Sequence, residues 1–271
     1  MPDLYAVIGN PVAHSKSPQI HAEFARQTGQ YLTYERLRAP THAFKETARA
    51  FHARGGCGLN VTLPFKGEAF CFATRLSERA RAAQAVNTLK FEGNAIIGDN
   101  TDGAGLVNDL MRNLGCTLAG ARVLVLGAGG AARGVIKPLL EQQPARLVLA
   151  NRSPGKAQVL AQSFGGGLEA VAYAALAGRQ FDLIVNATSA SLTGELPPLP
   201  PGVFAPGALA YDMVYGSDET TFLAFARAEG AAALADGLGM LVEQAAESFF
   251  IWRGLRPDSA PVLKLLRQAA V

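Results

Sequence analysis

The chain is poor in the residues that would tie it to a metal, a disulfide framework, a membrane or a nucleic acid. Its three cysteines, Cys57, Cys71 and Cys116, are odd in number and widely spaced. They match neither a zinc pattern nor a set of bridges and are simplest in a reducing compartment. The four histidines, His14, His21, His42 and His52, show no HExxH or related spacing, so no metal is expected. No apolar run reaches the length of a bilayer span, and Met-Pro-Asp-Leu-Tyr at the start is not a leader pattern. A cytoplasmic protein is expected. The 25 basic residues barely outnumber the 22 acidic ones. The densest basic cluster, Arg75, Arg79 and Arg81, reads as one solvated helix face, so neither nucleic acid nor a membrane surface is an expected partner. Internal repeats and low-complexity tracts are absent too.

What is there suits a globular protein with a sizeable core. Hydrophobic residues make up 49% of the 271 and charged residues 17%, enough for one large or two medium domains. From about residue 115 the pattern is regular βα alternation, with strands expected near 122–127, 146–150, 168–172, 182–187 and 208–212. The stretch 121–134 stands out. An apolar run, Val123 to Leu126, breaks into Gly127, Ala128, Gly129, Gly130 and Ala131 and then into alanine-rich helical sequence. Gly127-x-Gly129-x-x-Ala132 fits a dinucleotide fingerprint: the first glycine permits a sharp turn, and the second lets the backbone approach a pyrophosphate. Ala132 keeps helix and strand close. The helix N-terminus then offers free N–H groups to phosphate. An NAD binder usually carries Asp or Glu about 20 residues on, to accept from the ribose 2′-hydroxyl. This chain has Asn151, Arg152 and Ser153 there, with Lys156 one turn later. Two cations and two small polar groups suit a 2′-phosphate, so the expected cofactor is NADP. Asn186 and Thr188 end another strand, and Tyr211 to Tyr215 a further one, each at an edge expected to face a ligand.

The N-terminal part carries polar groups at strand ends. A strand, Leu4 to Gly9, runs into a loop holding Ser15 and Ser17, then a helix from Gln19 to Gln27. One serine could cap that helix, but a single cap does not account for both, and a sheet edge is where open α/β sheets bind polyols or carboxylates. A second strand is expected at 32–37, a helix at 43–53 and a third strand over 59–63, in which Asn60 and Thr62 share a face, with Lys66 just beyond its end. Burying that polar pair without partners would be expensive. Residues 68–82 read as one helix. Two strands then flank the turn Glu92-Gly93-Asn94, and Thr101 is the expected cap of the next helix, with Asp102 in its first turn and 106–114 as its body. A long helix is expected over 240–252 and a last one over 260–269.

These stretches together resemble the shikimate dehydrogenase family. The likeness covers nearly the whole chain, through Gly9-Asn-Pro-Val-Ala-His-Ser-Lys-Ser-Pro18, Asn60-Val-Thr-Leu-Pro-Phe-Lys66, Ala85-Val-Asn-Thr88, Gly98-Asp-Asn-Thr-Asp-Gly103, Gly127-Ala-Gly-Gly-Ala-Ala-Arg-Gly134, Tyr211-Asp-Met-Val-Tyr215 and Asp236-Gly-Leu-Gly-Met-Leu241 with Gln244. The resemblance implies an α/β fold of two domains. One is a substrate domain of residues 1–103 completed by 238–271, and the other a Rossmann-type NADP domain of 104–237. It implies reversible NADPH-dependent reduction of 3-dehydroshikimate to shikimate, on the route to chorismate and aromatic amino acids, by a monomer or homodimer. Carried over position by position, Lys66 and Asp102 match the catalytic pair. Ser15, Ser17, Asn60, Thr62, Asn87, Asp102, Tyr215 and Gln244 match substrate contacts. Gly127, Ala128, Gly129, Gly130, Ala131, Asn151, Arg152, Ser153, Lys156, Thr188, Met213, Gly237 and Glu78 match cofactor contacts. Lys156 departs from the family, where many relatives carry Arg, so one planar fork becomes a point charge. A dual-substrate quinate/shikimate dehydrogenase shares the lysine and aspartate, but the basic ending of 151–153 argues against its usual NAD preference. A non-catalytic homologue typically loses the proton donor or its partner, and both are present. A methylenetetrahydrofolate-type dehydrogenase would leave Ser15, Ser17, Asn87 and Tyr215 unaccounted for.

Overall fold

Among the described residues, segments 1–105 and 241–268 form one unit, and Leu106–Met240 a second. The computed structural model describes residues 1–216 and 218–268. In the first unit the order is β1 (Asp3–Gly9), α1 (Ser17–Thr28), β2 (Leu32–Arg38), α2 (Phe44–Ala53), β3 (Gly56–Val61), α3 (Lys66–Phe72), β4 (Arg75–Leu76), α4 (Glu78–Ala83), β5 (Thr88–Glu92) and β6 (Ala95–Asp99). Helix α5 (Asp102–Asn108) follows. Strand order is β2-β1-β3-β5-β6-β4, with β1, β2 and β3 parallel and the β5–β6 hairpin antiparallel. Gly93 turns that hairpin at φ +57°. Ile8, Leu59 and Leu89 from the strands pack with Phe44, Phe51, Phe65 and Phe72 from the helices. The spacing of Phe44, Ala48 and Phe51 is the helical period that puts one apolar face of α2 on the sheet.

The second unit is a parallel sheet throughout. It contains β7 (Arg122–Leu126), α6 (Gly130–Leu140), β8 (Arg146–Ala150), α7 (Pro154–Gln162), β9 (Leu168–Val171), β10 (Phe181–Asn186), β11 (Phe204–Asp212), α8 (Thr221–Ala228) and β12 (Ala233–Ala235). Helices α9 (Leu238–Arg253) and α10 (Ala260–Gln268) close the chain. Its order, β12-β11-β10-β7-β8-β9, reverses between β10 and β7. Both faces are covered. Val123 and Val125 pack with Val135, Ile136 and Leu183 on one side, and Leu124 and Leu126 with Val148, Ile184 and Phe222 on the other. That two-sided burial is why the strands read as unbroken apolar runs.

Several expectations change. Neither serine holds the N-cap position of α1, which falls to Lys16 without a side-chain bond; Ser17 is already helical, and Ser15 Oγ accepts from its N–H at 3.3 Å. The third strand begins at Gly56, where a side chain would strike the Phe51 ring, and ends at Val61, leaving Thr62 outside it. Residues 68–82 are not one helix, because Arg75 and Leu76 pair with Ile97 and Gly98. The three arginines therefore share no solvated face, and Arg79 bonds Asp99 and Glu247. Thr101 precedes the next helix as expected, its carbonyl accepting from the Gly105 N–H at 2.9 Å, but the side-chain bond to the helix start comes from Asn100, whose Oδ1 accepts from the Asp102 N–H at 3.1 Å. The body expected at 106–114 is instead the end of α5 followed by a π-helical turn, Asp109–Asn113. Strand β12 lies where the sequence pattern marks none. The last residue of the expected final helix, Ala269, lies outside the described residues.

Candidate active site

In the first unit the register of three strands builds the site. Asn60 near the end of β3 pairs with Thr88 at the start of β5, and Thr88 pairs with Asp99 at the end of β6. Asn87, just before β5, and Thr101 and Asp102, just after β6, are thereby brought to the edge where β3 ends. The turn after β3 places Lys66 as the first residue of α3, and its backbone carbonyl accepts from the Val86 N–H at 2.9 Å. Lys66 Nζ lies 2.6 Å from Asp102 Oδ2, with side-chain exposures of 28% and 8%. The other carboxylate oxygen of Asp102 accepts from Asn87 Nδ2 at 2.8 Å. Asp99 takes no part. Its carboxylate is held by Ser77 and by the Arg79 fork at 2.6 and 3.1 Å.

Around this pair lies a connected set of buried polar groups. Asn87 also bonds Thr101 Oγ1 at 2.9 Å and Gln244 Oε1 at 3.3 Å, and its carbonyl oxygen accepts from Thr101 N and Thr88 Oγ1, both at 2.9 Å. Asn60 Nδ2 donates to Ser248 Oγ at 2.9 Å, while its Oδ1 accepts from Tyr34 at 2.7 Å and His21 at 3.1 Å. Ser15 and Ser17 bond each other at 3.1 Å, and Arg36 clamps the Ser15 carbonyl at 3.0 and 2.6 Å. Thr62, half-buried, extends the ladder by one N–H bond to Ile8 O at 3.0 Å. Lys66, Asp102, Asn87 and Gln244 form one cluster, which Asn60 joins through Ser248 and Thr88. Tyr215 is not among them; it lies in the second unit, three residues beyond β11, where burial raises its phenol pKa.

Thr88, Thr101 as a network member, Ser248, Tyr34 and His21 join the site without having stood out in the sequence. Ser248 was within reach, since it stands four residues after Gln244 on one helical face. Nothing in the local pattern marks Tyr34 or His21.

The second unit gathers the glycine turn and its neighbours at the point where strand order reverses, the usual ligand crevice of an open parallel sheet. Gly127 has φ +99°, and a side chain there would come within 2.9 Å of Thr188 Cγ2. Gly129 and Gly130 have open space beside them, so the backbone at the start of α6 is approachable. Gly237 packs against the Met213 carbonyl so closely that no side chain fits. Behind this edge the buried Asp212 accepts from Ser191 Oγ at 2.6 Å, Thr220 Oγ1 at 2.7 Å and Val214 N at 3.0 Å, fixing the segment that carries Met213 and Tyr215. At the end of β8, Asn151 bonds Ser153 O at 3.0 Å, and Arg152, Ser153 and Lys156 are exposed. Among the described residues neither Arg152 nor Lys156 has a carboxylate partner within ion-pair distance. A glycine-lined helix start with two uncommitted cations beside it fits a pyrophosphate and a further phosphate. Glu78 is exposed at the start of α4, in the first unit.

An ammonium–carboxylate pair on one sheet edge, and a glycine-turned dinucleotide cradle on another, define a two-domain dinucleotide-dependent dehydrogenase. Family models narrow this. Residues 7–89 match the shikimate dehydrogenase substrate binding domain, 109–193 shikimate / quinate 5-dehydrogenase, and 237–267 the shikimate 5′-dehydrogenase C-terminal domain. A shikimate dehydrogenase (NADP(+)) from Nitrosospira multiformis is 62% identical over 99% of this chain and 98% of its own. An Ael1 enzyme from Pseudomonas putida, 50% identical, superposes with a TM-score of 0.93 over 97% of this chain and 98% of that one. Shikimate 5-dehydrogenase from Thermus thermophilus, solved in complex with NADP(H) and shikimate, is 35% identical with a TM-score of 0.88, covering 99% and 100%. The chain belongs to the shikimate dehydrogenase family.

Proposed function

We propose that Lys66 and Asp102 carry the chemistry of an NADPH-dependent reduction of 3-dehydroshikimate to shikimate, the reversible step on the route to aromatic amino acids. The observation that carries this reading is the 2.6 Å pair itself, with Asp102 held from behind by Asn87. The cofactor, when bound, supplies a hydride to the ring carbonyl carbon. Charge then develops on the carbonyl oxygen, which needs a donor already aimed at it. The Lys66 ammonium is that donor and gives up the proton as the hydroxyl forms; in the reverse direction neutral Lys66 takes it back. Asp102 accepts one ammonium hydrogen and is placed to accept a substrate hydroxyl, fixing both in reacting geometry.

The first unit serves as the substrate and catalytic domain, with Ser15 and Ser17 receiving the carboxylate and Thr62, Asn87 and Gln244 the ring hydroxyls; Tyr215 is a further substrate contact. The second unit would hold NADP through Gly127 to Ala131 at the pyrophosphate, Asn151, Arg152, Ser153 and Lys156 at the 2′-phosphate, and Thr188, Met213 and Gly237 near the nicotinamide. Free cysteines at positions 57, 71 and 116 support a reducing, cytoplasmic setting. The matched shikimate / quinate description also supports some use of quinate. The test is a four-way assay: shikimate or quinate, each with NADP+ or NAD+, followed by reduced-nicotinamide absorbance. Shikimate with NADP+ is expected to give the highest kcat/KM. A higher value with NAD+ overturns the reading of Arg152, and no turnover of shikimate overturns the whole.

A further inference from the structure

We propose that Arg36 determines specificity for an anionic substrate: its guanidinium caps the Ser15 carbonyl and sets a positive charge beside the two serine hydroxyls. This rests on the reading of Ser15 and Ser17 as the residues that receive the substrate's carboxylate.

The serines cannot make that choice themselves. A hydroxyl donates to a carboxylate, an ester carbonyl or an alcohol, so Ser15 and Ser17 select for an acceptor and not for a charge. Selection for charge needs a cation, and the fold delivers one from the neighbouring strand. Strand β2 runs parallel to β1 with Arg38 opposite Gly9, so both strands end beside the root of the serine loop. The loop is tightly wound. Ser15 N donates to Val12 O at 3.1 Å, while Ser15 Oγ accepts from the Ser17 N–H at 3.3 Å and lies 3.1 Å from Ser17 Oγ. Arg36 takes the Ser15 carbonyl with two donors, Nε at 3.0 Å and Nη2 at 2.6 Å.

That fork has two electrostatic consequences of the same sign. The Ser15 carbonyl oxygen is the negative end of a dipole, on the residue whose hydroxyl would meet the anion, and the fork covers it. The charge itself stays unspent, because a carbonyl is neutral. Glu35, next along the strand, alternates to the other face and pairs with Arg54. Among the described residues neither Arg36 nor Lys16, which stands between the serines at the N-cap of α1, has a carboxylate within ion-pair distance. Of the two cations, Arg36 is the one whose charged group is hydrogen-bonded to the loop. The N-terminal dipole of α1 acts in the same direction. Arg36 is exposed, so water solvates it until an anion arrives, and leaving it unpaired costs the fold little. A neutral ester on the same hydroxyls gains little from this charge.

The experiment compares shikimate with shikimate methyl ester, at saturating NADP+, for the unaltered protein, Arg36→Gln and Arg36→Lys. Glutamine keeps an N–H donor and removes the charge; lysine keeps the charge and removes the fork. The unaltered protein is expected to show a KM for the acid at least about 10-fold below that for the ester. Because the guanidinium is exposed, that ratio should shrink about 3-fold or more between about 0.05 M and 0.5 M KCl. Arg36→Gln should raise KM for the acid about 5- to 10-fold and change KM for the ester less than about 3-fold, with kcat for both within about 3-fold. Arg36→Lys should recover the preference for the acid to within about 3-fold. Equal KM values for acid and ester in the unaltered protein overturn the proposal even if neither variant folds, and so does a ratio indifferent to salt. An Arg36→Gln protein that raises both KM values alike overturns it too, since that is the mark of a merely structural residue. The same holds for an Arg36→Lys protein that behaves as Arg36→Gln does. Ser17→Ala separates the two readings. If it raises KM for shikimate while Arg36→Gln does not, only the proposal for Arg36 falls; if it leaves that KM unchanged, the serine reading falls and the proposal with it.

Discussion

At the edge of the first sheet Asn60, Asn87, Thr88, Thr101 and Ser248 are buried and hydrogen-bonded to one another, whereas at the edge of the second Arg152, Ser153 and Lys156 stand exposed. The first arrangement fixes a few polar atoms before any ligand arrives, which is what a reaction requiring close proton placement needs. The second relies on glycine backbone that can be closely approached and on exposed cations that can gather onto a phosphate. A buried network is intolerant of single changes, because each lost partner strands another group. An exposed cation is lost at little penalty to the fold. The two regions should therefore fail differently, one in kcat, the other in cofactor affinity and choice.

The hardest test of that contrast is Lys66→Ala. Removing the proton donor should lower kcat by about 10³-fold, within the range for lost general acid–base catalysis, and leave the dissociation constant for NADP+ unchanged. Steady-state kinetics and calorimetric titration of NADP+ check both halves. A large loss of cofactor affinity with kcat preserved would reverse the assignment of the two regions. Next comes Arg152→Ala. Loss of a charge-assisted bond to the 2′-phosphate should lower kcat/KM for NADP+ about 10- to 100-fold, with NAD+ changed less than about 3-fold and kcat unaffected. Equal losses with both cofactors would mean that Arg152 does not read the phosphate.

The buried network also carries a pH signature. His21 is held neutral by burial, its pKa about 3 when folded against about 6.5 unfolded. Below pH 6.5 the unfolded chain binds a proton that the folded chain refuses. The stability from this group is therefore complete above pH 6.5 and is lost as pH falls toward 3. At about 1.4 kcal/mol per pH unit, some 2 kcal/mol should go between about pH 7 and pH 5. His21→Gln, which keeps a donor for Asn60, should lose about 2 kcal/mol less over that interval. Denaturant unfolding of both proteins at the two pH values measures it, and parallel losses would show that His21 is not buried neutral.

The two regions were not equally legible in the sequence. The dinucleotide edge is written locally: Gly127, Gly129 and the 151–153 ending lie at fixed offsets within one βαβ unit, and backbone geometry ties those offsets to function. Lys66 and Asp102 were legible through motifs that end strands. What joins them was not. The register of Asn60 on Thr88 on Asp99 is a tertiary pairing, and Ser248 meets Thr88 across 160 positions. Residues 68–82 mislead for the same reason. Alanine-rich sequence favours a helix, but pairing of Arg75 and Leu76 with β6 outweighs that local preference and splits it in two. Thr101 has the residue type of a cap because caps are local, and its backbone holds that place, but the side-chain bond to the helix start comes from Asn100 while the Thr101 hydroxyl turns into the network.

Lys156 sharpens the comparison from the mild side. It is exposed at the first turn of α7, with no carboxylate partner within ion-pair distance among the described residues. An ammonium is a strongly hydrated point charge that can hold one phosphate oxygen at a time, whereas a guanidinium presents a planar fork to two. Lys156→Arg should therefore tighten NADP+ without moving anything in the first unit. The expected gain is about 2- to 5-fold in kcat/KM for NADP+ over NAD+, with kcat, KM for shikimate and thermal midpoint unchanged. Steady-state kinetics with each cofactor resolves an effect of that size. If the substitution instead shifts KM for shikimate or the midpoint, the dinucleotide edge is not the loosely coupled surface its exposure indicates, and the division between a rigid pocket and a tolerant cofactor grip has to be redrawn.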